Sequence, residues 1–128
     1  MVVDASVVLD VLLRVPSAAA LQARLLQQPI LHAPHLIDIE IAQVLRRHSL
    51  GARMDEQRGR EALADFAALP IQRYPHTALL PRVWELRDNF TAYDAAYVAL
   101  AEALDVPLLT RDRRLAAAAE RHIRVELI

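Results

Sequence analysis

The sequence of 128 residues contains no cysteine and no lysine, so arginine supplies all 15 of its basic residues. The absence of cysteine excludes a disulfide framework, thiolate-bound zinc and cysteine nucleophiles. The absence of lysine argues against receiver domains, haloacid-dehalogenase-like enzymes and P-loop enzymes, because these α/β classes normally use a lysine. The chemistry of this chain must therefore come from other residue types.

Aromatic residues are also scarce, at 5%, whereas hydrophobic residues make up 55% of the chain. A core of Leu, Val, Ile and Ala favours helices, and the length fits a single domain over residues 1–128. No apolar run is long enough to span a membrane, and no signal peptide precedes Val2–Val3, so we expect a soluble, cytoplasmic protein. With a net charge of −1, any RNA binding must come from local basic patches.

Short apolar runs alternate with longer helical patterns along the chain, which predicts an α/β fold with a short central parallel sheet flanked by helices. Strands are predicted at Val2–Val3, Ile30–His32 (closed by Pro34), Ile71–Tyr74, Val106–Thr110 and Ile123–Ile128. Helices are predicted at Ser6–Leu13, Ser17–Gln28, His35–Ser49, Asp55–Leu69, Thr77–Asp88, Ala92–Leu104 and Arg114–Arg121. In the fifth of these, we expect Pro81 to lie close to the true start. Gly51 stands where a C′ glycine would end the third helix.

Four acidic residues occupy positions that call for an explanation. Asp4 and Asp112 each follow a predicted strand, and ligands of open α/β sheets bind at the carboxyl ends of strands. Glu40 points only about 60° from the centre of the apolar stripe of its helix, where a lone carboxylate is costly to bury. Asp94 lies in the first turn of a helix that is almost entirely apolar.

Each acid also has a purely structural explanation. Asp4 and Asp112 could cap the helices that follow them, although Ser6 could replace Asp4 in that role. Glu40 could pair with a buried arginine. Asp94 is three residues after Thr91, the spacing of a capping box, although Asp is short for that role.

The fold would bring the four acids together, and two carboxylates about 4 Å apart repel by roughly 4 kcal/mol at an effective dielectric constant of 20. Such a cluster therefore needs a cation. Oxygen ligands without His or Cys favour Mg²⁺ or Mn²⁺, which typically position and activate water for phosphodiester cleavage.

Several segments resemble those of PIN-domain ribonucleases, and more narrowly VapC-type toxins of type II toxin–antitoxin modules. They are Val-Val-Asp-Ala-Ser-Val at the start, the apolar helix bearing Glu40 after Ala33–Pro34, residues 86–101, and Leu-Leu-Thr-Arg-Asp ending at Asp112. The resemblance implies a Rossmann-like fold and Mg²⁺-dependent cleavage of RNA, with Asp4, Glu40, Asp94 and Asp112 as catalytic and metal-binding residues. Ser6 and Thr110 would support them. A homodimer and a VapB-type antitoxin are the implied partners.

Arginines near the fourth acid, namely Arg111, Arg113 and Arg114, are candidates for contacts with the RNA backbone, as are Arg46 and Arg47. The alternative for each is a solvated helix face. Some PIN-domain proteins have a further acid after the fourth, where this chain has Arg113 and Arg114, which argues against a strongly bound second metal. The apolar residues of Leu9–Leu13 and Leu36–Leu45 suggest a surface for the antitoxin. The alternative function is a catalytically inactive, PIN-like module that binds RNA or protein.

Overall fold

A computed structural model describes all residues, 1–128, and contains five parallel strands with seven α-helices. The strands are β1 (Val2–Val3), β2 (Leu31–Pro34), β3 (Ile71–Tyr74), β4 (Leu108–Thr110) and β5 (Val125–Leu127). The helices are α1 (Ala5–Leu12), α2 (Ala18–Leu26), α3 (Leu36–Leu50), α4 (Glu56–Ala68), α5 (Leu80–Glu85), α6 (Ala92–Leu104) and α7 (Arg113–Ala119). A 3₁₀ turn over Thr77–Leu79 leads into α5. The predicted α/β class is confirmed.

The strand order in the sheet is β3-β2-β1-β4-β5. The chain therefore builds outward from β1 through β2 to β3, and then crosses to the other side of β1 to add β4 and β5. The change of direction lies between β1 and β4, and a crevice at the carboxyl ends of the strands is expected at such a switch point. Asp4 follows β1, and Asp112 lies two residues after β4.

Helix α6 packs against the centre of the sheet, in contact with β1, β2 and β4. Every residue from Ala95 to Ala101 is buried, and the small alanine side chains let the helix approach the strands closely. No helix of the structure is long and apolar enough to cross a membrane. The predicted bounds of α6, β1 and β3 are confirmed.

Three sequence predictions need correction. The second strand extends to Pro34 instead of ending at His32. The neighbouring strand β1 has ended before it reaches Pro34, so a residue without a backbone N–H is tolerated there. The predicted helix Thr77–Asp88 is a 3₁₀ turn over Thr77–Leu79 followed by α5, which ends at Glu85. The α-helix itself starts at Leu80, so the prediction that Pro81 lies close to its start is confirmed. At the end of α3, Gly51 has an ordinary φ of −83°, and the left-handed residue is Ala52 at 55°.

The apolar residues of α1 and α3 are only partly accommodated by the core. Leu12, Ile37, Ile41 and Leu45 are buried, whereas Ile39 is 74% exposed. Half-buried apolar residues of the same segments are Leu9, Val11, Leu13, Leu36 and Val44. These segments therefore retain apolar surface, and its use by an antitoxin stays a prediction.

Candidate active site

The register of the two central strands positions Asp4. Val3 pairs with Leu109, and the Asp4 backbone N–H donates to the Leu109 carbonyl at 3.0 Å, so Asp4 stands next to Thr110. Its Oδ2 accepts hydrogen bonds from the hydroxyls of Thr110 at 2.7 Å and Ser6 at 2.6 Å. Asp4 begins α1 but makes no capping hydrogen bond, so the capping explanation is wrong for this residue. Instead, both supporting residues predicted from the sequence hold its carboxylate.

Asp112 does cap a helix, as its structural explanation proposed. Its Oδ1 accepts from the backbone N–H groups of Arg114 at 2.7 Å and Leu115 at 3.1 Å, at the start of α7. The Asp112 backbone N–H in turn donates to Thr110 Oγ1 at 3.0 Å. Thr110 therefore links Asp4 and Asp112, and the Oδ2 atom of Asp112 makes no hydrogen bond within the protein.

Asp94 occupies the first turn of α6, where its backbone N–H donates to Thr91 Oγ1 at 3.2 Å. Thr91 thus caps the helix, as predicted. The Asp94 side chain is half-buried and lies at the positive end of the helix dipole, which favours its ionised form. Thr91 therefore caps the helix through the Asp94 backbone, while the Asp94 carboxylate stays available to the cleft.

Glu40 receives a hydrogen bond from Tyr97, whose hydroxyl donates to Oε2 at 2.6 Å. The proposed pairing with a buried arginine is wrong, because Glu40 forms no ion pair. Sequence reasoning missed Tyr97. The sequence indicates only that Tyr97 lies three residues after Asp94, and therefore on the same face of α6, not that it reaches Glu40.

The four acids line one cleft of about 800 Å³ at the switch point. Burial raises the pKa of the Glu40 carboxyl, the hydrogen bond from Tyr97 lowers it, and the charges of Asp4 and Asp94 raise it further. Burial likewise raises the pKa of Asp94, with Asp4 and Asp112 contributing. Burial also raises the pKa of the Tyr97 hydroxyl, with the charge of Glu40 adding to the effect, so it remains a hydrogen-bond donor. The sequence prediction that these carboxylates share one site and repel one another is consistent with this electrostatic coupling.

No three of these acids, nor any other group of three His, Asp or Glu side chains, are arranged in this structure to enclose a metal ion. The donor set nevertheless suits Mg²⁺, because it consists of carboxylate and hydroxyl oxygens only. This ion usually keeps several waters and takes only one or two carboxylates from the protein. The residues of the cleft therefore fit such an ion without forming a closed cage.

The cleft also has an apolar wall formed by α3 and the start of α6. Ile39 and Val44 of α3 line it together with Leu9 of α1, and Tyr93 adds an aromatic ring that is 65% exposed. Gln43 and Arg47 complete the α3 side. The cleft thus presents carboxylates on its floor and exposed apolar groups on one flank.

The candidate RNA-binding arginines differ in their surroundings. The guanidinium of Arg111 pairs with Asp10 and donates to Ser17 Oγ at 3.2 Å, so it is engaged within the protein. Arg113 and Arg114 are exposed, and neither side chain forms an ion pair or hydrogen bond. Arg46 and Arg47 are also exposed, but only Arg47 lines the cleft.

The chain matches a known class of protein. The family model of the PIN domain matches residues 1–121, nearly the whole chain, and the chain therefore belongs to the PIN-domain family.

Within the PIN-domain family, the chain is similar to proteins that are named as VapC ribonucleases. The chain is 49% identical to ribonuclease VapC1 of Mycobacterium tuberculosis over 118 residues, which is 91% of this chain and 89% of that protein. It is 47% identical to ribonuclease VapC9 of the same species over 114 residues, covering 89% and 87% of the two chains. The crystal structure of Rickettsia felis VapBC2 bound to a promoter DNA fragment superposes with a TM-score of 0.70 at 12% identity, covering 98% of this chain and 96% of that chain, and so shares the fold.

The raised pKa values predict how the metal-free protein responds to pH. Glu40 and Asp94 bind protons more readily in the folded protein than in the unfolded chain. Their protonation therefore stabilises the fold below about pH 4, and this stabilisation is lost as the pH rises through their raised pKa values. Glu40→Gln should therefore raise the melting temperature at pH 7 and change it little at pH 4. The control is Asp65→Asn, an exposed acid of α4 with no hydrogen bond or ion pair. A Glu40→Gln effect that is equal at both pH values would contradict this electrostatic origin.

Proposed function

We propose that this chain is a metal-dependent endoribonuclease and the toxin component of a VapBC-type toxin–antitoxin pair. The observation that carries the proposal is the cleft in which Asp4, Glu40, Asp94 and Asp112 meet at the switch point of a PIN domain. The high identity to proteins named as VapC ribonucleases supports RNA as the substrate.

The four acids take different roles in the proposed reaction. Asp4 is the most constrained, since it is only 8% exposed and two hydroxyls fix its Oδ2, while its Oδ1 makes no hydrogen bond within the protein. Glu40 is held through Oε2, and its raised pKa makes the free Oε1 a better proton acceptor than an ordinary carboxylate. We assign Glu40 the role of accepting the proton of the attacking water. Asp112 has Oδ2 free while Oδ1 caps α7.

The metal that we propose for this cleft is Mg²⁺, with Mn²⁺ as a substitute. Asp4 and Asp94 would hold it, and Glu40 and Asp112 would bind its waters or complete its ligands. When bound, such an ion polarises the phosphate oxygens and lowers the pKa of a bound water. The electrostatic coupling among the acids supports this assignment, because a divalent cation would relieve their repulsion.

The alternative, a catalytically inactive PIN-like module that binds RNA or protein, is favoured by a single observation. No three acids are positioned around one point as a preformed metal cage. An inactive module would have no use for carboxylates that repel one another, and it would gain little from metal. The next two experiments separate the alternatives.

Conversion of a single carboxylate to its amide should abolish cleavage. Asp4→Asn and Asp94→Asn are nearly isosteric changes that remove the charge, so we expect Mg²⁺-dependent hydrolysis of single-stranded RNA to fall by at least about 100-fold with the fold retained. Circular dichroism verifies the fold, and Asp65→Asn serves as the matched control. If either variant cleaved RNA at the unmodified rate, the site assignment would be wrong.

Metal binding should also be visible without any turnover. At about 100 times its dissociation constant, Mg²⁺ should stabilise the protein by about 2.7 kcal/mol in thermal or urea unfolding. Asp94→Asn should reduce this gain, whereas Asp65→Asn should not. If Mg²⁺ left the melting temperature of the unmodified protein unchanged, the inactive module would be preferred.

A partner protein is part of the proposal. The negative cleft lies beside the exposed apolar groups Ile39 and Tyr93, a combination that suits a partner segment carrying both an arginine and apolar side chains. The resemblance to VapC-type toxins makes a VapB-type antitoxin that partner, and the VapBC2 structural neighbour supports this choice. We also propose a homodimer on the strength of the resemblance, which sedimentation of the purified protein would test.

The toxin proposal predicts a growth phenotype. Expression of the chain alone in a bacterial host should arrest growth, and co-expression of the small protein encoded beside it should restore growth. The Asp94→Asn variant should be harmless without any partner, because the arrest depends on cleavage. A folded, unmodified chain that cleaves RNA in vitro but leaves growth unaffected would contradict the toxin role and leave the nuclease intact.

A further inference from the structure

The arginines of this chain fall into two groups according to whether the side chain has a partner within the protein. One group donates to carboxylates or carbonyl oxygens and comprises Arg24, Arg58, Arg60, Arg73, Arg82, Arg87, Arg111 and Arg124. The other group has no such partner and comprises Arg14, Arg46, Arg47, Arg53, Arg113, Arg114 and Arg121. The guanidinium groups of this second group can bind an external anion without first breaking a contact within the protein.

Two members of the second group line a groove that continues the acidic cleft. Asp94 and Asp112 line both the cleft and an adjoining depression. Arg114 lines this depression but not the cleft itself. That depression shares Arg114 and Asn89 with a third one, which reaches Arg121 and His122. We call the surface formed by Asn89, Arg114, Arg121 and His122 the α7 groove.

The basic character of this path has clear limits. Beyond Arg121 the surface is mixed in charge. The next depression contains the acids Glu102, Asp105 and Glu120, and its further arginine, Arg124, already donates to the Asp105 carbonyl. Arg113 is adjacent to Arg114 in sequence but lines none of these depressions. The α7 groove therefore provides two unpaired arginines, separated by seven residues, which is enough for about two phosphates.

The rest of the cleft lining differs in chemistry from the α7 groove. Ile39, Val44 and Tyr93 add apolar and aromatic groups to it, and Arg47 is the only basic side chain that lines the cleft. A phosphate backbone is better accommodated on the α7 side, where arginines and the Asn89 amide provide donors. The apolar flank is better suited to unstacked bases.

We infer that the RNA backbone leaves the cleavage site along the α7 groove, where Arg114 and Arg121 bind successive phosphates on one side of the scissile bond. The inference rests on the proposed nuclease function and deepens it by assigning a path to the substrate. It selects Arg114 over its neighbours Arg111 and Arg113, and it adds Arg121, which the sequence did not single out. Arg114 lines the same depression as Asp94 and Asp112, so its charge also offsets the repulsion between the acids and an incoming phosphate.

The test compares three single variants, Arg114→Gln, Arg121→Gln and Arg113→Gln, which remove the same charge. Binding of a fluorescein-labelled single-stranded RNA is measured by anisotropy in EDTA, where no metal-dependent cleavage occurs, over a series of salt concentrations. Arg114→Gln and Arg121→Gln should each weaken binding and reduce the slope of log K against log salt by about 0.7. Arg113→Gln should match the unmodified protein. In Mg²⁺, the first two variants should raise KM and leave kcat nearly unchanged.

The possible outcomes separate the groove from the nuclease function. Equal weakening by all three variants would show a general charge effect and overturn the groove, and so would normal binding by Arg114→Gln and Arg121→Gln. Either result could accompany full cleavage by the unmodified protein, which would leave the proposed function standing. Conversely, selective loss of binding in a protein that never cleaves RNA would support the groove and overturn the nuclease.

Discussion

Asp4 directly follows β1, whose two residues are completely buried. The arrangement of the whole cleft depends on the hydrogen bonds that hold the Asp4 carboxylate in place. The pairing of β1 with β4 places Thr110 against Asp4, and Ser6 approaches from the first turn of α1. Thr110 is fully buried and also accepts a hydrogen bond from the Asp112 backbone, so one hydroxyl ties two acids to one register. A slip of β4 by one residue would separate all of these groups.

The other two acids depend on the packing of α6. This helix is buried from Ala95 to Ala101, and its close contact with the sheet fixes the direction in which its first turn presents Asp94. One turn later the same face presents Tyr97, whose hydroxyl reaches across to Glu40 on α3. The apolar core thus supplies the free energy that keeps Glu40 and Asp94 close to Asp4 although their charges repel.

The sequence predicted the parallel sheet from its apolar strands, and it predicted that Asp4 and Asp112 meet because each follows a strand. Glu40 and Asp94 were added by their helices, Glu40 because it lies near an apolar stripe and Asp94 because it lies in the first turn of the almost wholly apolar α6. The sequence did not predict that Tyr97 binds Glu40, since that contact joins residues 57 positions apart and depends on how α3 and α6 pack. It also treated Arg111, Arg113 and Arg114 alike, because spacing along a chain does not reveal that Arg111 is paired with Asp10. The ends of β2 and α3 were predicted less accurately. Pro34 belongs to β2 although proline usually ends a strand, and the left-handed residue after α3 is Ala52 instead of a glycine.

The distribution of ion pairs explains why the cleft is available to a cation from outside the chain. Seven ion pairs link arginines to Asp10, Asp38, Glu56, Glu85, Glu102, Asp105 and Glu126, and none of them involves an acid of the cleft. Hydroxyls and backbone N–H groups satisfy one oxygen of Asp4, Glu40 and Asp112 without neutralising the charge. Because none of the chain's own arginines forms an ion pair with these acids, the negative potential of the cleft persists in the folded protein. A divalent metal and an arginine from a partner would then compete for the same carboxylates, which links the proposed catalysis to its proposed inhibition.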